Sequence, residues 1–396
     1  MGSRVSFRIA AAVFVVLALA ALTPIGSSSS TPDFGQPLGG LTADQLARFQ
    51  AGLSEFNSVE TVEEGIGPVF NDVSCASCHS LAAVGGASAI LETRFGTTGP
   101  DGLFDPLTQW GGSLIQKQGI GAAVSCEYLA EIVPPEATIV AARRTTALFG
   151  LGLVDAVPDA TFQAIAQEEA FNPDGITGVV SMVTDIATGQ TVVGKFGWKG
   201  QNPNLFQFAG DAYLNEMGIT NPQFPNENCP QGDCASLSCN PAPGLNDDGE
   251  GVQEFADFMT FLAPPPRGPI TAQTALGELV FRGVGCAGCH RTVMRTGPNG
   301  VAALNKVVFH PYSDFLLHDM GALGDGITQN LATGHLMRTA PLWGARKLTT
   351  FLHDGRATTL DAAILAHDGQ ARKARDRYAG LPGYKKTLLA AFLNSL

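Results

Sequence analysis

The sequence Cys-x-x-Cys-His occurs twice in this chain, and no other feature constrains its fold as strongly. The first copy spans residues 75–79 and the second spans residues 286–290. Two thiols at this spacing can add to the two vinyl groups of one haem, and the histidine that follows can ligate the iron. A redox dithiol or half of a zinc site would not require a histidine after both pairs. We therefore predict two covalently bound haem c groups, one held by Cys75, Cys78 and His79 and the other by Cys286, Cys289 and His290.

The net charge of −12 excludes nucleic acid as a partner, because nucleic acids select basic surfaces. The same acidic balance favours a protein partner with a basic docking face. Residues 9–22 form an apolar run after Arg4 and Arg8, which is typical of an export signal over residues 1–30. We predict a periplasmic or otherwise exported protein, which stays anchored to the membrane if the signal is not cleaved.

Four further cysteines belong to neither motif. An even number of spare cysteines in an exported protein predicts two disulfides. Three of the four lie in one polar, proline-rich segment, so at least one bridge should be local, and the pairing is left open. The four are Cys126, Cys229, Cys234 and Cys239.

An amphipathic helix is predicted before each motif. The first covers residues 42–56, with Thr42 as its N-cap, and Thr271 opens the second. Both helices contain Gly-x-x-x-Phe, at 52–56 and at 277–281, and close approach of another helix would explain these glycines. Each half of the chain also closes on a helix with a Phe-Leu pair.

A leading helix, a haem motif and a closing helix form the core of a cytochrome c domain. The sequence therefore predicts a mainly α fold with two cytochrome c-like domains, at residues 33–265 and 266–396. The proline-rich stretch 263–269 would connect them. The first domain is longer, and its excess predicts a loop-rich insertion with a small β-hairpin, whose strands are 179–186 and 191–198.

A second repeat pairs residues 144–150 with residues 338–344, and each copy begins with an arginine. We interpret Arg144 and Arg338 as anchors for a haem propionate or a buried turn, because a guanidinium binds carboxylates with two parallel hydrogen bonds. The Leu and aromatic residues of each copy would pack on the haem or in the core.

These features together resemble the bacterial dihaem cytochrome c peroxidase superfamily, and most closely its dihaem oxidoreductase branch, also labelled thiol oxidoreductases. The resemblance implies one haem in each domain, often with calcium between the domains. It also implies that one haem relays an electron while the other meets hydrogen peroxide, and that a small cytochrome c or a cupredoxin donates the electrons. The motifs that carry the resemblance lie at 67–71, 150–155, 197–199, 216–220, 311–314, 317–321, 338–344 and 351–356.

The resemblance also suggests the distal ligand of the second haem. The family places it at a fixed distance beyond the histidine of the block at 353–356, which corresponds to His367, with Met320 as the alternative. No histidine occurs between His79 and His290. The first iron is therefore expected to be five-coordinate or water-bound, or to take Met217 or a histidine from the second half.

Family enzymes use a carboxylate over the first haem to move a proton between the peroxide oxygens. Matching residues 161–169 with residues 359–367 suggests Glu169 for this role, and Asp155 is the second candidate. Asn172, Asp174 and the acidic pair at 247–248 are weak signals for the calcium that the family implies.

The sequence thus predicts an exported dihaem oxidoreductase that reduces hydrogen peroxide at the haem of His79, with electrons relayed through the haem of His290. Two other functions fit the same motifs. One is an electron-transfer protein without a substrate of its own. The other is an enzyme that oxidises a thiol or a protein side chain.

Overall fold

Helix is the main element of the computed structural model, which describes residues 32–396 and is 34% helical and 16% strand. The export signal predicted over residues 1–30 lies outside the described residues. The helices are α1 (Ala43–Phe56), α2 (Cys75–Cys78), α3 (Leu151–Asp155), α4 (Asp159–Glu169), α5 (Leu205–Met217), α6 (Glu250–Phe261), α7 (Ala272–Val284), α8 (Leu360–Leu365), α9 (Arg372–Ala379) and α10 (Gly383–Leu393).

The strands are short and form several small antiparallel sheets rather than one large one. They are β1 (Val69–Phe70), β2 (Leu91–Thr98), β3 (Phe104–Asp105), β4 (Leu114–Ile115), β5 (Gln118–Gly119), β6 (Gly121–Ala123), β7 (Cys126–Tyr128), β8 (Ile139–Arg144), β9 (Met182–Thr184), β10 (Thr191–Val193), β11 (Met294–Arg295), β12 (Val308–Phe309), β13 (Leu317–Asp319) and β14 (Leu336–Arg338).

The two leading helices begin where the sequence predicted. The Thr42 side chain accepts a hydrogen bond from the backbone N–H of Gln45, and the Gln45 side chain accepts one from the backbone N–H of Thr42. Thr271 caps α7 through the same kind of reciprocal box. These bonds satisfy backbone donors that the first turn of a helix leaves unpaired.

Each leading helix packs against the closing helix of its own half through a glycine. At Gly52 of α1 an added Cβ would overlap the carbonyl oxygen of Glu254 in α6, and at Gly277 of α7 it would overlap that of Leu388 in α10. Only a residue without a side chain allows helices to approach this closely. The structure therefore confirms the predicted reason for both glycines.

The largest hydrophobic cluster contains residues from both halves of the sequence. It joins Phe261 of the first closing helix to Met294 and Trp343 of the second half. Thr31–Leu396 accordingly forms one compact unit. The division into two cytochrome c-like domains at the proline-rich connector stays a prediction from the sequence repeat.

A four-stranded antiparallel sheet lies between the first motif and α3, where the sequence predicted no strands. Its central strand β2 pairs with β8 over six residues and with β3 and β4 over two each. The segment Leu91–Thr98 does not alternate apolar and polar residues, so the period of two that marks a strand was missing. This sheet brings β2 side chains to the first motif.

The insertion that the sequence placed after α4 contains β9 and β10, which pair antiparallel over three residues each. Before α6, the described residues of 220–250 form loops and short 3₁₀ turns. The structure joins Cys126 to Cys239 and Cys229 to Cys234, and the second bridge is local. No described helix is both long and apolar enough to cross a membrane.

Candidate functional site

The first Cys-x-x-Cys-His motif lines a cavity of about 350 Å³, which we call the first cavity. Cys75 and Cys78 are the first and last residues of the short helix α2. The backbone N–H of His79 donates to the carbonyl of Cys75 at 3.0 Å. This turn brings both thiols and the imidazole to one cavity wall. Neither thiol forms a disulfide, so both are available for thioether bonds.

The His79 imidazole is held as a neutral ligand. Its Nδ1 donates to the carbonyl of Gly86 at 3.1 Å, and burial lowers the pKa of His79 to about 4. A histidine fixed through Nδ1 to a backbone carbonyl is the usual arrangement when Nε2 binds a metal. The residues of the first motif therefore fit a haem iron.

The second motif lines a separate cavity of about 220 Å³, which we call the second cavity. The His290 imidazole repeats the arrangement of His79, because its Nδ1 donates to the carbonyl of Tyr312 at 2.9 Å. Burial, reinforced by the nearby His367, lowers the pKa of His290 to about 4. Cys286 and Cys289 line the same cavity and form no disulfide.

A second imidazole faces His290 across the second cavity. The ring centroids of His290 and His367 lie 6.5 Å apart, and Nδ1 of His367 donates to the carbonyl of Ala363 at 2.8 Å. Two metal–nitrogen bonds of about 2 Å in line, together with two half-rings, span roughly 6 Å. One metal ion thus fits between these rings. Met320, the alternative candidate, lines the same cavity.

The first cavity has no such partner for His79. Among the described residues that line it, His79 is the only histidine. Met217 also lines it, and its sulfur lies 4.0 Å from Sγ of Cys75. This contact places Met217 beside a thiol of the attachment motif. The two cavities therefore differ in the side chains that face the proximal histidine.

A cluster of charged side chains lines the first cavity. Glu92 accepts hydrogen bonds from Arg94 at 3.0 and 3.2 Å, and Arg143 lies 3.8 Å from Glu92. Burial raises the pKa of Glu216 to about 7, with a further contribution from Glu92, and burial also raises the pKa of Asp211. We call Glu92, Asp211 and Glu216 the acid cluster. A carboxyl group with a pKa near 7 can hold or release a proton at neutral pH.

The sequence analysis missed the acid cluster because its members come from distant elements. Glu92 lies on β2, and Asp211 and Glu216 lie on α5. Two signals could have pointed to it. Glu92 and Arg94 are two residues apart and so share a strand face, and Glu216 opens one of the blocks that carry the family resemblance.

Glu169 and Asp155 do not line the first cavity, so their predicted position over the first haem is wrong. Glu169 Oε2 lies 3.8 Å from Nε2 of His318, near Cys289 of the second motif, and burial raises its pKa to about 8. Asp155 accepts a hydrogen bond from the backbone of Leu205 at 3.3 Å. The end of α4 packs against the strand that carries His318, a position that matching the two halves did not reveal.

Arg144 and Trp198 line both cavities and so form a shared wall. The indole N–H of Trp198 donates to the carbonyl of Arg144 at 2.9 Å. Nε and one terminal nitrogen of the buried Arg144 guanidinium have no hydrogen-bond partner, and burial lowers the pKa of Arg144. An unpaired buried cation is costly, and a haem propionate would supply its missing carboxylate.

Arg338 lines only the second cavity of the two. Its guanidinium donates to the carbonyls of Gly197 and Thr339 at 2.6 and 3.1 Å, and burial lowers its pKa to about 10. The two arginines of the sequence repeat thus differ, because Arg338 already has protein partners. Trp343, the aromatic residue of that repeat, lines neither cavity.

The structure contains two further sets of buried, paired polar side chains that the sequence analysis did not predict. Arg143 and Lys199 both pair with Asp325, at 2.7 and 2.9 Å, which links the first half of the chain to the second. Near Cys289, the His318 imidazole donates to Asp314 at 3.0 Å. Burial opposes the charge on His318, but Asp314 and Cys289 together outweigh burial and raise the pKa of His318.

The acidic loops proposed for calcium do not converge. Asp174 forms an ion pair with Arg377, while Asp247 and Asp248 accept hydrogen bonds from backbone N–H groups at the start of α6. Across residues 32–396, these loops contribute to no group of three carboxylates, imidazoles or thiols. Calcium stays a prediction from the resemblance.

A sequence profile of the family described as "Di-haem oxidoreductase, putative peroxidase" matches residues 122–396. The match covers more than half of the chain and includes the second motif, and the first motif precedes it. No curated protein matches this sequence.

Three solved structures resemble the chain weakly over most of its length. A hydrazine synthase from Kuenenia stuttgartiensis is 13% identical, with 96% of this chain and 100% of that one covered and a TM-score of 0.38. A MauG-like protein associated with microbial copper homeostasis is 13% identical, with 93% and 94% covered and a TM-score of 0.40. The diheme peroxidase BthA from Burkholderia thailandensis is 14% identical, with 93% and 89% covered and a TM-score of 0.41. The family assignment therefore rests on the sequence profile.

Proposed function

Because this chain belongs to the di-haem oxidoreductase family, we propose that it is an exported c-type enzyme that reduces hydrogen peroxide at the first cavity. Electrons would enter at the second cavity from a small cytochrome c or a cupredoxin. The overall reaction takes one peroxide, two electrons and two protons to two waters. The haems supply redox-active iron, and the residues of the chain control access, protons and the route between the cavities.

The difference between the cavities is the observation that carries this proposal. His367 faces His290 in the second cavity, and no second histidine accompanies His79 among the described lining residues of the first. An iron with ligands on both faces favours electron transfer, and an open face admits a small substrate. The first cavity is therefore the candidate for peroxide.

Covalent attachment is supported by the state of the thiols. All four motif cysteines are free, while the four spare cysteines form disulfides. Burial raises the pKa of Cys78 and of Cys286 to about 12. A thiol with a raised pKa is a poor redox dithiol, so this environment argues against thiol–disulfide exchange as the function of the two motifs.

The acid cluster would handle protons at the first cavity. The Glu216 carboxylate accepts a hydrogen bond from Nδ2 of Asn71 at 2.7 Å and has a pKa of about 7. It can take a proton from an incoming peroxide and return it to the departing oxygen. Glu92 keeps its charge beside Arg94 and Arg143, and these cations lower its pKa against the opposing effect of burial.

Peroxide-dependent oxidation of a reduced donor by the haem-loaded protein tests the proposal. We expect turnover, one high-spin and one low-spin haem in the ferric resting state by electron paramagnetic resonance, and cyanide binding to only one haem. Two low-spin haems without peroxide turnover would instead favour a pure electron-transfer protein. Oxidation of an added thiol in the absence of peroxide turnover would also contradict the proposal.

A further inference from the structure

The two halves of the chain carry opposite charge. Residues 266–396 contain 15 Lys and Arg against 8 Asp and Glu, whereas residues 32–265 contain 7 against 28. The net charge of −12 is therefore the sum of a basic second half and a strongly acidic first half. Charge separated in this way creates a potential that orients an approaching charged partner.

Burial sharpens this contrast at the surface. Four of the seven cations of the first half are buried, namely Arg143, Arg144, Lys195 and Lys199. In the second half two of the acids are buried, Asp314 and Asp325. Arg143 and Lys199 pair with Asp325, and Lys195 pairs with Asp159, so these three charges add little to the long-range field. The first half thus presents an almost purely acidic surface, and the second half presents an excess of cations.

An apolar face of α7 is exposed within the basic half. Leu276 is 50% exposed and Leu279 is 64% exposed, and Ile270 just before the helix is 72% exposed. An added side chain at Gly283 would meet no other atom, so this side of the helix is open. Leu276, Leu279 and Gly283 share one side of α7, which leads into the second motif at its C-terminal end.

The two helices that pack against α7 carry cations. Helix α10, which packs against α7 at Gly277, carries Lys385 and Lys386. The Lys386 ammonium lies 4.7 Å from the ring centroid of Tyr378, a contact that leaves its charge unneutralised. Arg377 of α9 reaches the carbonyl of Val284 at the end of α7, but its charge is paired with Asp174, so it is not counted in this surface.

We propose that the electron donor is a small acidic redox protein that docks on the exposed face of α7 at Ile270, Leu276 and Leu279, with Lys385 and Lys386 of the adjacent helix α10 supplying positive charge. The inference rests on the proposed entry of electrons at the second cavity. In each encounter the donor loses one electron and the di-haem protein gains it. The overall charge predicted a basic partner, but a basic donor is drawn to the acidic first half instead.

Physical chemistry favours this combination of an apolar centre and a charged rim. Complementary charge accelerates encounter and weakens with salt, while a small apolar contact allows fast release. Transient redox complexes bury comparatively little surface. A small exposed face that carries two leucines and an isoleucine suits such a short-lived contact better than a permanent interface.

Flavodoxin can serve as the acidic probe, and mitochondrial cytochrome c as the basic probe. Binding of each to the di-haem holoprotein is measured by calorimetry, and reduction of the holoprotein by reduced flavodoxin is measured by stopped-flow absorbance. Raising the ionic strength from about 0.01 M to about 0.15 M shortens the Debye length from about 30 Å to about 8 Å. We expect flavodoxin binding and reduction to weaken steeply across this range.

A matched pair of variants locates the surface. Lys385→Gln with Lys386→Gln removes two positive charges beside α7, and Gln50→Glu with Gln190→Glu makes the same net change on the exposed surface of the first half. We expect the lysine variant to slow reduction by flavodoxin at low salt about fivefold and the glutamine variant to change it less than about twofold. Leu279→Ser should weaken binding without altering the salt dependence.

Three results would overturn the inference. The first is tighter salt-dependent binding of cytochrome c than of flavodoxin together with fast electron exchange. The second is an equal effect of the two charge variants. The third is salt-sensitive self-association that the lysine variant abolishes, since the face would then belong to a second copy. Peroxide turnover with a small-molecule reductant is measured separately, so a failure of the proposed function is distinguished from a failure of the docking surface.

Discussion

The two cavities are built alike on one side and differently on the other. In both, a leading helix packs through a glycine on a closing helix, and a neutral histidine donates its Nδ1 proton to a backbone carbonyl. Facing that histidine, the second cavity has His367, whereas the first is lined by the acid cluster. The shared side follows from a repeated sequence, and the differing side follows from segments that are not repeated. The comparison indicates that one repeated frame presents different side chains to its two cavities.

Removal of one attachment pair is the strongest test of the comparison. Cys75→Ala with Cys78→Ala should reduce the pyridine haemochrome signal from two haem equivalents to one and abolish peroxide turnover, while the low-spin spectrum of the second haem persists. Cys229→Ser with Cys234→Ser removes a disulfide instead and should keep both haems. Loss of both haems in the first variant would show that the cavities do not load independently.

The next test removes the group that distinguishes the second cavity. His367→Gly should convert the second haem from low-spin to high-spin, and added imidazole should restore the low-spin signal, because the far face then lacks its ligand. Met320→Leu is the matched control and should leave the spectrum unchanged. The opposite result, a spin change only in the Met320 variant, would transfer the ligand role to the methionine.

Replacement of Glu216 tests the distinguishing group of the first cavity. Glu216→Gln should lower kcat for peroxide by about a hundredfold, because it removes the group that accepts and returns the proton. In the wild-type protein kcat/KM should rise as the pH passes about 7, since Glu216 must be deprotonated to accept a proton. This rise of kcat/KM with pH should be absent in the Glu216→Gln variant.

Glu227 provides the control for burial alone. Its pKa is also raised, to about 8, but it lines neither cavity. Glu227→Gln should therefore leave both kcat and the pH profile unchanged. Equal effects of the two variants on turnover would show that the acid cluster acts through stability rather than proton transfer.

The shared wall offers a subtler test. Arg144→Leu should lower the reduction potential of both haems, because a cation beside a haem stabilises its reduced form and Arg144 lines both cavities. Arg338→Leu should lower only the second. Spectroelectrochemical titration resolves the two haems, and Arg144→Lys should retain most of the wild-type potential. If Arg144→Leu changed the reduction potential of only one haem, the assignment of Arg144 to both cavities would be contradicted.

The smallest expected effects concern the common frame. Gly52→Ala and Gly277→Ala should each lower the free energy of unfolding by about 1–3 kcal/mol, because the added methyl group meets a backbone carbonyl of the closing helix. Gly283→Ala, in the same helix as Gly277 but facing open space, should raise it by about 0.5–1 kcal/mol. Thermal unfolding of the holoprotein measures all three. If Gly52→Ala left the free energy of unfolding unchanged, the close helix contact would matter for stability only in the second half.

Sequence reasoning was successful where contacts are local or repeated. The cap at Thr42, the glycines of the leading helices and the grouping of each motif around one cavity all depend on short stretches of chain. The pairing of Cys229 with Cys234 is local as well, so proximity made one local bridge predictable. The bridge from Cys126 to Cys239 spans 113 residues, and only the folded chain brings these two together.

Sequence reasoning was wrong where the two halves were assumed to correspond throughout. Glu169 was matched to His367, yet its helix ends beside Asp314 and His318 in the second half. In the unpredicted sheet of β2, β3, β4 and β8, side chains of β2 and β8 line part of the first cavity. An inserted sheet changes which residues face a cavity, and no alignment of the flanking helices records that change.

The sequence by itself determined that two haem-binding motifs exist, that each follows a helix with a close-packed glycine, and that four other cysteines are left to pair. Each of these depends on spacing along the chain, because thioether chemistry and helix packing act over a few residues. The family resemblance had already suggested His367 for the haem of His290. Tertiary structure alone decided that the acid cluster lines the cavity of His79 and that Arg144 lines both cavities. These contacts join residues far apart in sequence, where burial and charge pairing in the folded state, and not spacing, choose the neighbours.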